Sequence, residues 1–265
     1  MEKERYIKAY TGACEYLKTM TPQSVDLDKY FYPSDDFTTM DEVFYRFIFS
    51  AQNYQRMPNV IKLKERSDEI KDILGSYDIN AVKKMDSDVL YMSFIKKFEI
   101  KTKDSPMNSW RKWTNAVIDS AKFLSEFKDV DDFRGFVKLF DYNVHTSMAL
   151  PLLISHRIKG IGFALACDLL KELGFTRYPK PDVHIIEVFS ALGLSSENPG
   201  DVFEAVVRMA EYCKDIEPDV TPYKVDKVFW LICSGKFYKE QPELNINSRK
   251  KEYISWAKEK FVNND

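Results

Sequence analysis

Ile158-Lys159-Gly160-Ile161-Gly162-Phe163-Ala164-Leu165-Ala166 reads as the end of one helix, a sharp apolar-Gly-apolar-Gly turn and the start of a second helix. Two glycines separated by one residue let the backbone reverse with no Cβ in the way, and they expose main-chain N–H groups where the next helix begins. Such a nest of donors suits a phosphate oxygen. The same turn serves equally as a plain connection between two packed helices.

Helical periodicity dominates on both sides of this turn. Phe44, Phe47, Ile48 and Ala51 recur at i, i+3, i+4 and i+7, and Trp113, Ala116, Val117, Ser120, Ala121 and Leu124 form a similar stripe. Start and stop signals predict helices from Asp41 to about Gln52, from Asn59 toward Leu74, from an Asp86-Ser87-Asp88 cap toward Phe98, and from Pro106 through Phe127. Asp131 leads into a helix ending at Phe140; after a break at Pro151 come Leu152 to His156, the turn, and a helix closed by Gly174 at its C′ position. Thr176-Arg177-Tyr178-Pro179-Lys180-Pro181 cannot be helical with two prolines, so Asp182 caps the next helix, which ends near Leu192-Gly193. Helices over Asp201 to Cys213, Lys224 to Ser234 and, more weakly, Glu252 to Phe261 complete the chain. Period-2 runs are short; Tyr30-Phe31-Tyr32-Pro33 reads as an aromatic loop or an edge strand. The expected class is all-α.

At 265 residues the chain suits one two-lobed domain or two compact domains, and 45% hydrophobic with 30% charged residues is a globular composition. Thirty-nine Lys and Arg against 41 Asp and Glu leave a formal charge of −2, which excludes bulk charge as a means of holding nucleic acid or an anionic membrane. A local patch would have to do so. Residues 191–220 carry two basic against seven acidic residues, whereas 151–190 carry five against four and 221–265 nine against six. Cys14, Cys167, Cys213 and Cys233 lie too far apart for a compact zinc or iron–sulfur spacing and read as reduced, mostly buried thiols. No stretch has the length of a membrane span and MEKERYIKAY lacks a secretory apolar region, so the expected location is cytoplasmic, nucleoid-associated if the source is prokaryotic.

Three short matches taken together resemble the helix-hairpin-helix superfamily of base-excision DNA glycosylases, the endonuclease III and 8-oxoguanine glycosylase group. Lys159-Gly160-Ile161-Gly162 takes the place of the family's L-P-G-V-G hairpin, and Asp182-Val183-His184-Ile185 that of its D-x-H-apolar motif, eighteen residues beyond position 164. Ile48-Phe49-Ser50-Ala51-Gln52 looks like the family's L-L-S-A-Q segment. The resemblance covers about residues 40–238. It implies a two-lobed helical fold with a cleft between the lobes: residues 1–40 completing one lobe, 41–150 a helical lobe carrying the wedge-type glutamine, 151–240 the helix-hairpin-helix lobe and 241–265 a helical tail.

It further implies double-stranded DNA with a damaged or modified base as partner and a monomer; the cluster-ligating cysteines that endonuclease III carries near its C-terminus are missing here, since Cys213 and Cys233 do not supply a four-cysteine run, so no iron–sulfur cluster or other metal is expected, and no membrane. Asp182 becomes the catalytic carboxylate, since breaking an N-glycosidic bond builds positive charge at the sugar C1′ that a fixed carboxylate stabilises. As a residue type in this position, it also reads simply as a helix N-cap. Lys159, Gly160, Ile161 and Gly162 would hold the DNA backbone, Gln52 would fill the gap left by a flipped base, Asn53 on the loop that follows could add stacking or phosphate contacts, and His184 would orient the site. Tyr54 and Arg56 could add stacking and phosphate contacts, and Trp110, Trp113, Tyr142, Phe163 and Trp230 are candidates for a base pocket or for plain core. Ala164 stands where bifunctional members carry the lysine that forms a Schiff base, so the resemblance implies a monofunctional enzyme using water. Two alternatives stay open: a DNA-binding protein without catalysis, and the same scaffold acting on a modified thymine base or nucleotide.

Overall fold

The computed structural model describes residues 2–33 and 37–262. It is mostly helical, with one two-residue antiparallel ladder, Lys236–Phe237 against Leu244–Asn245. The chain divides into two compact units. Met1–Asp35, Asn143–Met148 and Gly174–Asp265 form the first; Asp36–Tyr142 and Ala149–Leu173 form the second. The segment 151–240 expected as one lobe therefore contains a unit boundary, between Leu173 and Gly174.

The second unit is organised around two helices, Met40–Gln52 and Ser109–Leu124. The first begins one residue before Asp41 because Thr39 closes a capping box: its hydroxyl accepts from the Glu42 N–H at 3.2 Å, and the Glu42 carboxylate accepts from the Thr39 N–H at 3.0 Å. The apolar stripes read from the sequence meet here, with Phe44, Phe47, Ile48, Trp113, Val117 and Leu124 all fully buried. The Trp113 indole N–H donates to the Ile48 carbonyl at 2.8 Å, so this core ring is also a hydrogen-bonded tie between the two helices. Trp110 and Trp113 stand edge to face at 5.9 Å with Phe94 beside both, so both indoles belong to the core and neither lines a base pocket. The expected helix from Asn59 to Leu74 is split into Met57–Ile61 and Ser67–Ile73, because Lys62 takes a left-handed conformation at φ 55° and ends the first piece.

The longest helix, Glu2–Met20, belongs to the first unit and escaped the periodicity reading. Its buried stripe is Tyr6, Ala9, Tyr10, Ala13 and Leu17, aromatic and small residues amid many charges rather than a run of aliphatics. It shares a core with Val183–Ala191, Pro199–Cys213, Pro222–Ser234 and Lys250–Ala257. Phe229 sits centrally, edge to face with Phe189 at 5.1 Å and Tyr253 at 6.0 Å. Tyr30 to Pro33 forms no strand; Asp28–Phe31 is a single helical turn.

Pro151 does not break the chain as expected: Val144–Arg157 runs through it as one helix. Proline removes one i to i−4 hydrogen bond without forbidding helical φ, and the full burial of Leu150 and Ile154 on either side holds the helix together. The unit boundary between Met148 and Ala149 falls inside this helix. Among the described residues no helix is long and apolar enough to cross a membrane.

Burial also sets an alkaline limit on stability. The Cys213 and Cys233 thiols are fully buried, and desolvation pushes both up to about 12 from an ordinary value of 9.0. The unfolded chain releases these protons first, so their contribution is complete below pH 9 and is lost as pH rises toward 12. Urea midpoints measured at increasing pH are expected to hold up to that lower value and then fall. A double Cys213→Ala, Cys233→Ala variant should show a shallower fall.

Candidate functional site

Gly160 adopts φ 98°, a conformation that favours glycine, and its backbone lies against the Ser109–Leu124 helix. A Cβ placed there would stand 3.6 Å from the Ala116 Cβ and 3.7 Å from the Lys112 carbonyl, so the turn is seated on that helix. Ile158 and Ile161 are buried and anchor the turn from below. The Ile161 N–H returns to the Ile158 carbonyl at 3.2 Å, and the Lys159 N–H is taken by the Asp119 carboxylate at 3.2 Å. Gly162 caps Phe163–Glu172 with no side chain, at φ −82°, and open space lies where its Cβ would be. The N–H groups of Gly162, Ala164 and Leu165, at the exposed start of that helix, have no acceptor among the described residues.

Around this turn the second unit gathers a surface from three distant parts of the sequence. The Lys112 ammonium lies 5.4 Å from the centroid of the Tyr54 ring, on the exposed loop that follows Met40–Gln52. Lys112 and Lys159 have no carboxylate partner among the described residues, whereas Arg157 is paired with Glu126. Asp119 is the opposing charge. The patch is therefore modestly basic, with an aromatic ring at one side and helix N–H donors at the other.

Gln52 does not stand on that surface. It is 4% exposed, and its Oε1 accepts from the Leu63 N–H at 3.1 Å, which ties the loop to the chain beyond it. In this conformation it is a staple and not a wedge. Asn53 forms the C-cap of the helix, and Tyr54, Gln55 and Arg56 are the exposed residues of the loop, with Gln55 at φ 50°. Lys112 is the residue that the sequence reading missed. Its contact with the turn depends on two segments more than 40 residues apart, and only its position one helical turn before Ala116 hinted at that face.

Asp182 lies in the first unit and is the N-cap of Val183–Ala191. Its Oδ1 accepts from the His184 N–H at 2.9 Å and from the Ile185 N–H at 3.2 Å. Its Oδ2 has no partner among the described residues, and the side chain is half-buried. One oxygen is thus fixed by backbone donors while the other remains available for chemistry. His184 is half-buried on the same turn, and its Nδ1 has no hydrogen-bond partner among the described residues. The preceding loop is held by the buried Asp226, which accepts from the Lys180 N–H at 2.8 Å. Of the other aromatic candidates, Tyr142 is 85% exposed and Phe163 and Trp230 are half-buried. Among the described residues no group of three His, Cys, Asp or Glu could hold a metal ion.

No protein-family model matches the chain, and neither curated proteins nor solved structures provide a match.

Proposed function

We propose that the chain is a monofunctional DNA N-glycosylase of the helix-hairpin-helix kind, acting in base excision repair on a duplex with a damaged or modified base. The observation that carries the reading is the surface shared by the glycine turn, Lys112 and the Tyr54 loop. It combines helix N–H groups with no acceptor among the described residues, two ammonium groups with no carboxylate partner among those residues and an exposed ring, the chemistry that meets a phosphate backbone and an unstacked base. Gly160 and Gly162 let the backbone approach a phosphate, and Lys159 adds charge. Tyr54 with Asn53, rather than the buried Gln52, supports the opened duplex.

Asp182 supplies the chemistry in this reading. As the glycosidic bond lengthens, positive charge develops on the sugar; Oδ2 stabilises it and orients water, while Oδ1 stays locked to the helix. Ala164 offers no amine, so no Schiff base forms and strand scission requires added alkali. The two-lobed helix-hairpin-helix architecture, a monomeric state and a cytoplasmic, nucleoid-associated location belong to the same proposal.

The test is a panel of duplexes bearing oxidised, alkylated, deaminated and mismatched bases, read by mass spectrometry for released base and by gel for scission with and without alkali. Release of one lesion with scission only after alkali is the expected result. The engagement of Asp182 Oδ1 as a helix cap favours a second reading, a DNA-binding damage sensor without catalysis. Duplex binding with no base released across the panel would establish that reading instead, and a modified thymine altered without being released would point to chemistry on a base substituent.

A further inference from the structure

A cavity of about 510 Å³ opens in the first unit between the Glu2–Met20 helix, the Asp28–Phe31 turn and the segment around Glu217 and Lys224. It uses none of the residues of the candidate site described above. Its volume lies within the range of about 300 to 1,000 Å³ usual for small-molecule sites.

A charged but neutralised wall sets its chemistry. Glu217 accepts from the Tyr10 hydroxyl at 2.7 Å through Oε2 and from the Lys224 ammonium through Oε1. Burial alone would push this carboxyl up, but the hydrogen bonds from Lys224 and Tyr10 and the charge of Lys224 outweigh it and hold Glu217 below the usual carboxylate range. The group is therefore ionised, and each oxygen keeps a lone pair beyond the donor it already holds. Lys224 has three N–H donors, one of them on Glu217, and its ammonium lies 4.8 Å from the centroid of the Phe31 ring. The wall thus presents an acceptor and a donor side by side, next to an aromatic ring.

Net charge is close to zero at this site. Glu217 is matched by Lys224, Glu15 at the rim is paired with Lys260 at 3.0 Å, and exposed Lys18 and Asp28 contribute one charge of each sign. A ligand bearing a net charge would lose hydration with no complementary field to replace it. A neutral flat ring with adjacent N–H and C=O groups loses little, donating its N–H to Glu217 and accepting from Lys224 at its C=O. We propose that this cavity binds a neutral planar ring carrying a cyclic amide, the chemical class of pyrimidine bases and related lactams.

Cys14 lines the same cavity and supplies the readout. It is half-buried, whereas Cys167, Cys213 and Cys233 are buried, and burial pushes its thiol up to about 11, so it alkylates slowly at mildly alkaline pH. Iodoacetamide labelling of Cys14 in the full chain at pH about 8.5, followed by peptide mass spectrometry, reports occupancy of the cavity. Uracil is expected to slow labelling saturably, while benzoate and benzylamine, flat but charged, should not. Phe31→Ala and Lys224→Met should each abolish the protection by uracil, read within each variant as the ratio of labelling rates with and without uracil, while the circular dichroism spectrum stays close to that of the parent chain; removing the Lys224 charge, which favours the Cys14 thiolate, slows unprotected labelling in that variant. If Lys224→Met does not fold, Phe31→Ala carries the test alone. Unchanged labelling at saturating uracil, equal protection by benzoate or benzylamine, or full protection retained in the folded variants would each overturn the proposal. No DNA is present, so the outcome is independent of the glycosylase reading.

Discussion

Replacing Gly235 with alanine is expected to destabilise the first unit by more than about 3 kcal/mol, because backbone, not a flexible side chain, occupies the place of the new methyl group. Gly235 ends Pro222–Ser234 in a left-handed conformation at φ 65°. A Cβ there would lie 2.0 Å from the Asn247 carbonyl oxygen and 2.4 Å from its carbon. Relief requires residues around Asn247 to move away, yet this segment is stitched to the helix end: the Ile246 N–H donates to the Gly235 carbonyl at 2.9 Å and the Arg249 N–H to the Ile232 carbonyl at 3.0 Å. Losing that register also uncouples Lys250–Ala257, whose Tyr253 is fully buried against Phe229. Urea unfolding followed by circular dichroism checks the effect. Gly162→Ala is the matched control, since its Cβ would enter open space at a negative φ; it should change stability by less than about 0.5 kcal/mol. Equal midpoints for the two variants would contradict the steric account.

Asp182→Asn should leave the fold and duplex binding close to those of the parent chain while lowering the rate of base release by about a hundredfold to ten-thousandfold. This one side chain holds two separable roles. As an N-cap, asparagine accepts from the His184 and Ile185 N–H groups as well as aspartate does. As a charge facing a developing cation, it is no substitute. Asp182→Ala should lose both roles, with about 1 kcal/mol of stability gone in addition to activity. Single-turnover release from the responsive lesion duplex, measured beside thermal melts, reads both effects. Base release by Asp182→Asn at the parent rate would reduce Asp182 to a cap and remove the chemical half of the glycosylase proposal.

Legibility of the chain tracked how local each signal was. Asp86, Gly174 and Asp182 act within their own turn of backbone, and the helices they bound are where the sequence placed them. Phe44, Phe47 and Ile48 announced a buried face because strong apolar residues recur at helical spacing. Glu2–Met20 was missed because tyrosine and alanine make a quieter stripe, and Pro151 was overread because burial on either side outweighs one missing hydrogen bond. At the site, the glycine turn was visible in its own letters. The burial of Gln52 and the meeting of Lys112 with Tyr54 and Gly160 depend on packing between distant segments, and no local pattern encodes them.

The composition of the first unit has a consequence for the order of assembly. Its helix at residues 2–20 is held by partners near the other end of the sequence: Tyr6 to the Leu194 carbonyl, Tyr10 to Glu217 and Glu15 to Lys260. During synthesis that helix must wait, its apolar stripe uncovered, while the whole of the second unit, most of it one continuous stretch ending at Tyr142, is made. The second unit can therefore gain structure first, and the waiting tyrosine-rich stripe is the part of the nascent chain most in need of a chaperone.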